Sequence, residues 1–185
     1  MDILPVLVPT RDEQGAPART IVTIWDAAYA LGRQPVHLHV SHVGYAYVRT
    51  RLFQHTKSVL KTSWVRGILL DDDMLLRNQQ QLMDVIQLAD KNNWNIVAPY
   101  MLKNGLTSLA SASGKMLDFE EAVKLPHYTE VPMAGLGFYY GDIPLDYEFH
   151  EGAPYEGEDL NFFHETQLKP KLAPIEIKHL KVMAL

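Results

Sequence analysis

Val65-Arg66-Gly67-Ile68-Leu69-Leu70-Asp71-Asp72-Asp73-Met74-Leu75 decides how the rest of the chain is read. An apolar run of strand length stops abruptly at three consecutive carboxylates. Such a run predicts a buried strand whose end falls where the acids begin. Adjacent carboxylates repel one another, a cost that a bound cation neutralises or water screens. In open α/β sheets ligands bind beyond the carboxyl ends of the strands, so the acids stand where a ligand is expected. Oxygen ligands suit a hard divalent cation, Mg²⁺ or Mn²⁺, that keeps positions open for substrate phosphates. The plainer reading is a solvated acidic turn leading into the next helix. The flanking sequence weighs between the two.

Upstream, residues 3–8 are apolar but contain Pro5. Proline donates no hydrogen bond, so the expected paired part is Val6-Leu7-Val8. A polar loop follows, Pro9-Thr10-Arg11-Asp12-Glu13-Gln14-Gly15, and then Pro17, which suits a first helical turn. Ile21, Ile24, Trp25 and Ala28 predict one apolar helical face, closed by Gly32. Residues 36–40 predict a strand with His37 and His39 on one side and Val36, Leu38 and Val40 on the other. The two histidines admit a metal site, but a half-exposed strand face accounts for their spacing without one. A second helix is expected over residues 46–61, with Val48, Leu52 and Val59 on one face and Arg49, Arg51 and Lys57 along it.

After the acids, Leu82, Val85, Ile86 and Ala89 predict a third amphipathic helix ending near Asn92-Asn93. Residues 94–98 predict a further strand closed by Pro99. The order β-α-β-α-β-α-β predicts an α/β fold, a mostly parallel central sheet flanked by helices. Past residue 100 the periodicity fades, which predicts a smaller mixed C-terminal part. Leu102-Lys103-Asn104-Gly105-Leu106 reads as a turn between short strands, and residues 108–114 as a small polar loop. Residues 131–141 mix glycine with aromatics, so backbone there is expected to lie close against a ligand or another strand. Residues 146–157 read as an acidic loop. Residues 158–167 predict a helix with Leu160 and Phe163 inward, and residues 174–180 a last strand. The chain of 185 residues, 47% hydrophobic, is read as a single domain.

The net charge of −5 argues against a dedicated nucleic-acid binder. Absence of cysteine removes disulfides, thiolate zinc sites and cysteine nucleophiles. No apolar run reaches the ~20 residues of a membrane span, so no transmembrane segment is expected. The expected setting is cytoplasmic, with peripheral contact at a membrane surface left open. Gly135, Gly137 and Gly141 miss the dinucleotide-binding spacing by one. His150-Glu151 and His164-Glu165 begin like zincin helices, but Pro154 and Leu168 stand where the second histidine belongs. There is no P-loop and no esterase elbow.

Taken in order, these pieces resemble GT-A-fold glycosyltransferases of the family-2 type. Asp71-Asp72-Asp73 resembles their Asp-x-Asp motif, and Val6-Leu7-Val8-Pro9-Thr10 their first strand, which leads into the nucleotide pocket. Gly135-Leu136-Gly137-Phe138 resembles the segment lining donor sugar and acceptor. Tyr155-Glu156-Gly157-Glu158-Asp159-Leu160-Asn161-Phe162-Phe163 resembles the Glu-Asp helix start, and His179 stands where many members supply a metal-ligand histidine. The likeness spans almost the whole chain and is nearest to compact stand-alone members such as those of archaeal viruses. Val40-Ser41-His42-Val43 lacks the acid that usually follows the second strand, which leaves the nucleotide base open.

The resemblance implies a Rossmann-like GT-A sheet and transfer of a sugar from a nucleotide-sugar donor to a glycan, protein or lipid hydroxyl, with Mn²⁺ or Mg²⁺. It implies a nucleotide-binding half at residues 1–100 and an acceptor-side half at residues 101–185. It implies Asp71, Asp73 and His179 in the metal site, Asp71 also at ribose or metal-bound water, and Asp72 between these roles. Asp159 is the implied base of an inverting transfer, with Glu158 competing for the role. Thr10 and Arg11 would lie by base and ribose, and Arg49 and Arg51 would face the diphosphate. Tyr45, Trp64, Tyr139 and Tyr155 are candidates to stack on sugar or base. Two other readings compete: a nucleotidyltransferase, which normally needs a Gly-rich first loop, and a non-catalytic nucleotide- or sugar-binding module on the same fold.

Overall fold

The computed structural model describes residues 2–10, 17–41, 45–99, 102–103, 106–110, 116–150 and 158–180. The first part alternates strand and helix: β1 (Ile3–Thr10), α1 (Ala18–Ala30), β2 (Gln34–Ser41), α2 (Tyr45–Leu60) and β3 (Trp64–Leu70). A short β4 (Met74–Leu76) follows the acids, then α3 (Gln79–Lys91) and β5 (Ile96–Ala98). The second part is irregular: β6 (Leu102–Lys103), β7 (Leu106–Ala110), β8 (Met116–Asp118), α4 (Phe119–Val123) and β9 (Phe138–Pro144). It closes with α5 (Glu158–Thr166), β10 (Pro170–Leu172) and β11 (Ile177–His179).

Six strands form the central sheet in the order β10-β5-β9-β3-β1-β2. β1 runs parallel to β2 and β3, and β10 parallel to β5. β9 is the one reversed strand, antiparallel to β3 and β5 on either side of it. The expected α/β architecture is therefore present, and its centre is completed by a strand from the second half. β6, β7 and β8 make a separate antiparallel sheet, in which β6 and β7 are the expected short strands; the expected turn between them lies outside the described residues.

Strand alternation divides the core in two. Leu7, Leu69 and Tyr139 face one side with Leu52 and Phe53 of α2 and Phe162 and Phe163 of α5. Val6, Val8, Ile68, Leu70, Phe138 and Tyr140 face the other with Ile24 of α1 and the α3 residues Leu82, Val85, Ile86 and Ala89. The α3 stripe is the one the sequence predicts, and Asn78 caps it by accepting from Gln81 N at 3.0 Å.

Several expectations need correction. β1 is paired along its whole length with β2, not only over Val6-Leu7-Val8. Pro5 and Pro9 share one parity, so their missing donors fall on the same edge of the strand. The ladder to β3 is correspondingly short, joining only Val6 and Leu7. In α1 the buried stripe is Thr20, Thr23, Ile24, Ala27 and Ala28, and Trp25 is exposed. Val59 of α2 and Leu160 of α5 are also exposed; Phe162 fills the place expected of Leu160. β4, β8, α4 and β10 are too short to leave a periodic signal.

The glycine-aromatic segment does bring backbones close, between strands. Gly67 and Gly141 face each other across β3 and β9. A Cβ on Gly67 would run into the Pro5 carbonyl, and one on Gly141 into the Asn95 carbonyl; Gly141 also has φ +150°. Among the described residues no helix is long and apolar enough to cross a membrane.

Candidate functional site

β3 ends at Leu70, and the acids follow at the carboxyl edge of the sheet as a turn into β4. Four separate elements fasten this turn. Thr10, the last residue of β1, donates from Oγ1 to Asp72 Oδ2 at 3.1 Å. Arg49 of α2 donates from Nη2 to both Asp71 oxygens, at 3.0 and 3.2 Å. Asp71 N donates to Gly137 O at 2.8 Å, which ties the turn to the strand entry of β9. Leu180 N donates to Asp73 O at 2.9 Å, just past the end of β11.

β11 pairs antiparallel with β4, and its register sets His179 opposite Met74. The backbone of His179 is thus one residue's step from Asp73, although the two are 106 positions apart in sequence. Asp159, the second residue of α5, accepts from Leu136 N at 3.4 Å. Since Gly137 holds Asp71, the glycine segment links the acid turn directly to the start of α5. Thr10, Arg49, the three acids, the Gly135–Gly137 segment and Asp159 are joined by these contacts, with the backbone of His179 alongside.

The burial of these groups differs. Arg49 is 4% exposed and Asp73 7%, while Asp71 and Asp72 are half-buried. Burial pushes the Asp71 carboxyl above the usual carboxylate range. Arg49 opposes that rise, and the charges of Asp73 and Asp72 add to it. The Arg49 guanidinium also lies 6.0 Å from the centre of the Phe149 ring.

Arg51 is exposed, about 200° around the helix from Arg49, so the two arginines do not act together. Trp64 opens β3 at the end opposite the acids and is exposed, away from the site. Tyr139 lies wholly in the core, where burial raises its phenol above the ordinary value. Neither can stack on a ligand at the acid turn. Arg11, Tyr155 and the side chains of Tyr45, Glu158 and His179 lie outside the described residues.

The sequence reading missed Thr20 and did not anticipate the ion pair between Arg49 and Asp71. Thr20 Oγ1, buried under α1, donates to Met74 O at 2.8 Å and accepts from Leu76 N at 3.0 Å. It clips β4 to α1 directly behind the acid turn. Its signal was its place four residues before Ile24 on the buried stripe. Arg49 falls within the stripe Val48, Leu52, Phe53 and Thr56, a position that a solvated arginine does not take.

A divalent cation fits the chemistry of the donor set. Asp72 and Asp73 offer oxygen only, at a carboxylate-rich turn on the ligand-binding edge of the sheet. Asp71 is paired with Arg49, and Asp72 accepts from Thr10. Among the described residues no three His, Asp or Glu side chains already converge on one point. The sequence matches no protein-family model and no curated protein.

Proposed function

We propose that the protein is a metal-dependent glycosyltransferase, moving a sugar from a nucleotide-sugar donor to an acceptor hydroxyl with inversion. One observation carries the reading. The contacts of the acid turn run through Gly137 and Leu136 to Asp159, and through Leu180 to the end of β11. A donor diphosphate and an acceptor hydroxyl need neighbouring sites, one rich in metal ligands and one holding a base. The carboxyl edge of this sheet brings those residue types together.

Asp73, with Asp72 and His179, would hold the cation. Bound there, it would supply Lewis-acid stabilisation of the leaving diphosphate. Asp71, immobilised by Arg49, serves the ribose side of the donor. Asp159 takes the acceptor proton as the hydroxyl oxygen bonds to the anomeric carbon and the bond from that carbon to the phosphate oxygen breaks. Its place in the first turn of α5 favours the ionised carboxylate that a base requires. Glu158 is the alternative base on the same turn.

The test is calorimetric titration with UDP, GDP, CDP and dTDP, each with and without Mn²⁺. Metal-dependent binding of one nucleotide supports the reading and identifies the donor class. Absence of any response removes it. Binding without turnover of the matching donor sugar assigns the protein as a non-catalytic binding module. For an active enzyme, Asp159→Asn should keep donor binding and lose roughly 10²–10⁴-fold in transfer rate. Transfer at the normal rate would remove Asp159 as the base.

A further inference from the structure

β2 is the outermost strand of the central sheet, with β1 on one side and no strand on the other among the described residues. It is eight residues long and pairs with β1 continuously, without a bulge. Natural edge strands of that length are normally blunted by charges, bulges or central prolines, because their open backbone groups recruit another strand. β2 reads Gln34-Pro35-Val36-His37-Leu38-His39-Val40-Ser41: no charged residue, and its proline lies near the start.

The centre of that strand, Val36-His37-Leu38-His39-Val40, is a palindrome. We propose that β2 is a self-association edge, pairing antiparallel with β2 of a second copy about Leu38. In that register Val36 meets Val40 of the second copy, His37 meets His39, and Leu38 meets Leu38. Each row stays on its own face. The apolar row continues the core that Val36, Leu38 and Val40 already pack against. On the other face, His37 and His39 stand 5.7 Å apart between ring centres. His37 Nε2 is buried with no hydrogen-bond partner among the described residues. The second copy's His39 would stand beside it. The product is a continuous sheet of twelve strands, six from each copy, whose carboxyl edges face opposite ways. This association goes beyond the transferase reading and holds whether or not that reading does.

The test uses the full chain in sedimentation velocity over a concentration series. Wild type should dimerise. His39→Lys changes an exposed position, sets the lysines of the two copies diagonally near one another across the seam, and should weaken the dimer roughly tenfold or more. Circular dichroism checks that this variant stays folded. The chain has no cysteine, so a single Leu38→Cys reports the register. Antiparallel partners lie about 4.5–5.5 Å apart between Cα atoms, within disulfide reach. Oxidised Leu38→Cys should run as a covalent dimer, while Gln54→Cys on the exposed face of α2 should not. A wild type that stays monomeric throughout overturns the proposal. So does a dimer indifferent to His39→Lys whose Leu38→Cys form does not cross-link.

Discussion

Asp71 and Asp90 are carboxylates held by arginines at opposite ends of the same sheet, yet their protons are held in opposite directions. Asp90, near the end of α3, receives Arg66 Nε at 2.7 Å, the Tyr140 hydroxyl at 2.7 Å, and Arg33. Arg66 goes on to Asp142 at 3.1 Å, and Asn95 to the same carboxylate at 3.2 Å. Burial alone would raise the Asp90 carboxyl, but the hydrogen bonds from Arg66, Tyr140 and Arg33 outweigh it and hold it below the usual range. At the acid turn the balance falls the other way, and Asp71 is pushed up. The difference lies in the neighbours. Two guanidiniums meet two carboxylates at the amino end of β3, whereas three carboxylates stand in succession at its carboxyl end. A matched network serves the fold. A crowded row of acids costs the fold stability, which marks the turn as a candidate site.

The comparison breaks most visibly at Arg49. Arg49→Met removes the guanidinium and leaves Asp71 half-buried beside two like charges. The expected loss is about 3 kcal/mol in urea unfolding at neutral pH. A loss no larger than an exposed arginine gives would mean that Asp71 is stabilised by something other than its ion pair. Asp73→Asn tests the same edge from the ligand side. It should keep the fold, since it relieves repulsion, and weaken Mn²⁺-dependent nucleotide binding by roughly a hundredfold. Wild-type-like binding in a calorimetric titration would sink the metal assignment.

At the opposite end Asp90→Asn should cost about 1–2 kcal/mol, because two arginines lose a shared, partly exposed partner. The pH dependence has a definite sign. A carboxyl held low in the folded state contributes stability above its unfolded value near 3.9, and loses it as pH falls through the folded value. Urea midpoints of wild type should therefore fall more steeply below about pH 4 than those of Asp90→Asn. Parallel acid limbs for the two proteins would show that the network does not set the acid stability of the sheet.

How much of this was legible depended on length and on sequence distance. α3 and β3 announce themselves through Leu82, Val85, Ile86 and Ala89 and through the apolar run that stops at Asp71. The acid turn was visible for the same reason, since three like charges after a buried strand contradict local economy. β9 was not placed, because its insertion between β3 and β5 is decided by pairings with residues 43 to 80 positions away, from Val97 with Tyr140 to Trp64 with Pro144. Leu160 and Phe162 were exchanged because the polar start of α5 hides its phase. The pair between Arg49 and Asp71 was not anticipated, because the charge of Arg49 was followed outward to a ligand rather than inward from its place between Val48 and Leu52. The convergence of Asp159 with the acid turn could be anticipated only by resemblance, since nothing local in Glu158-Asp159 points to Leu136.

Thr20 gives the smallest effect and the sharpest separation between holding the fold and holding the site. Its hydroxyl fixes both ends of β4, donating to Met74 O and accepting from Leu76 N. β4 in turn carries Asp73 at its entry and pairs with the strand that ends in His179. Thr20→Val keeps the volume and removes both hydrogen bonds, leaving a buried carbonyl and a buried N–H to find other partners. The expected cost is about 1 kcal/mol in global stability. If β4 merely lines the core, metal-dependent nucleotide binding will be unchanged at temperatures where the variant is fully folded. If β4 sets the spacing between the acid turn and β11, binding will weaken even there, and hydrogen exchange at Met74, Leu76 and Leu180 will speed up while Ile68 and Leu69 in β3 stay protected. Equal loss of protection in β3 and β4 would show that α1 and the two strands open as one unit, and that Thr20 belongs to the fold alone.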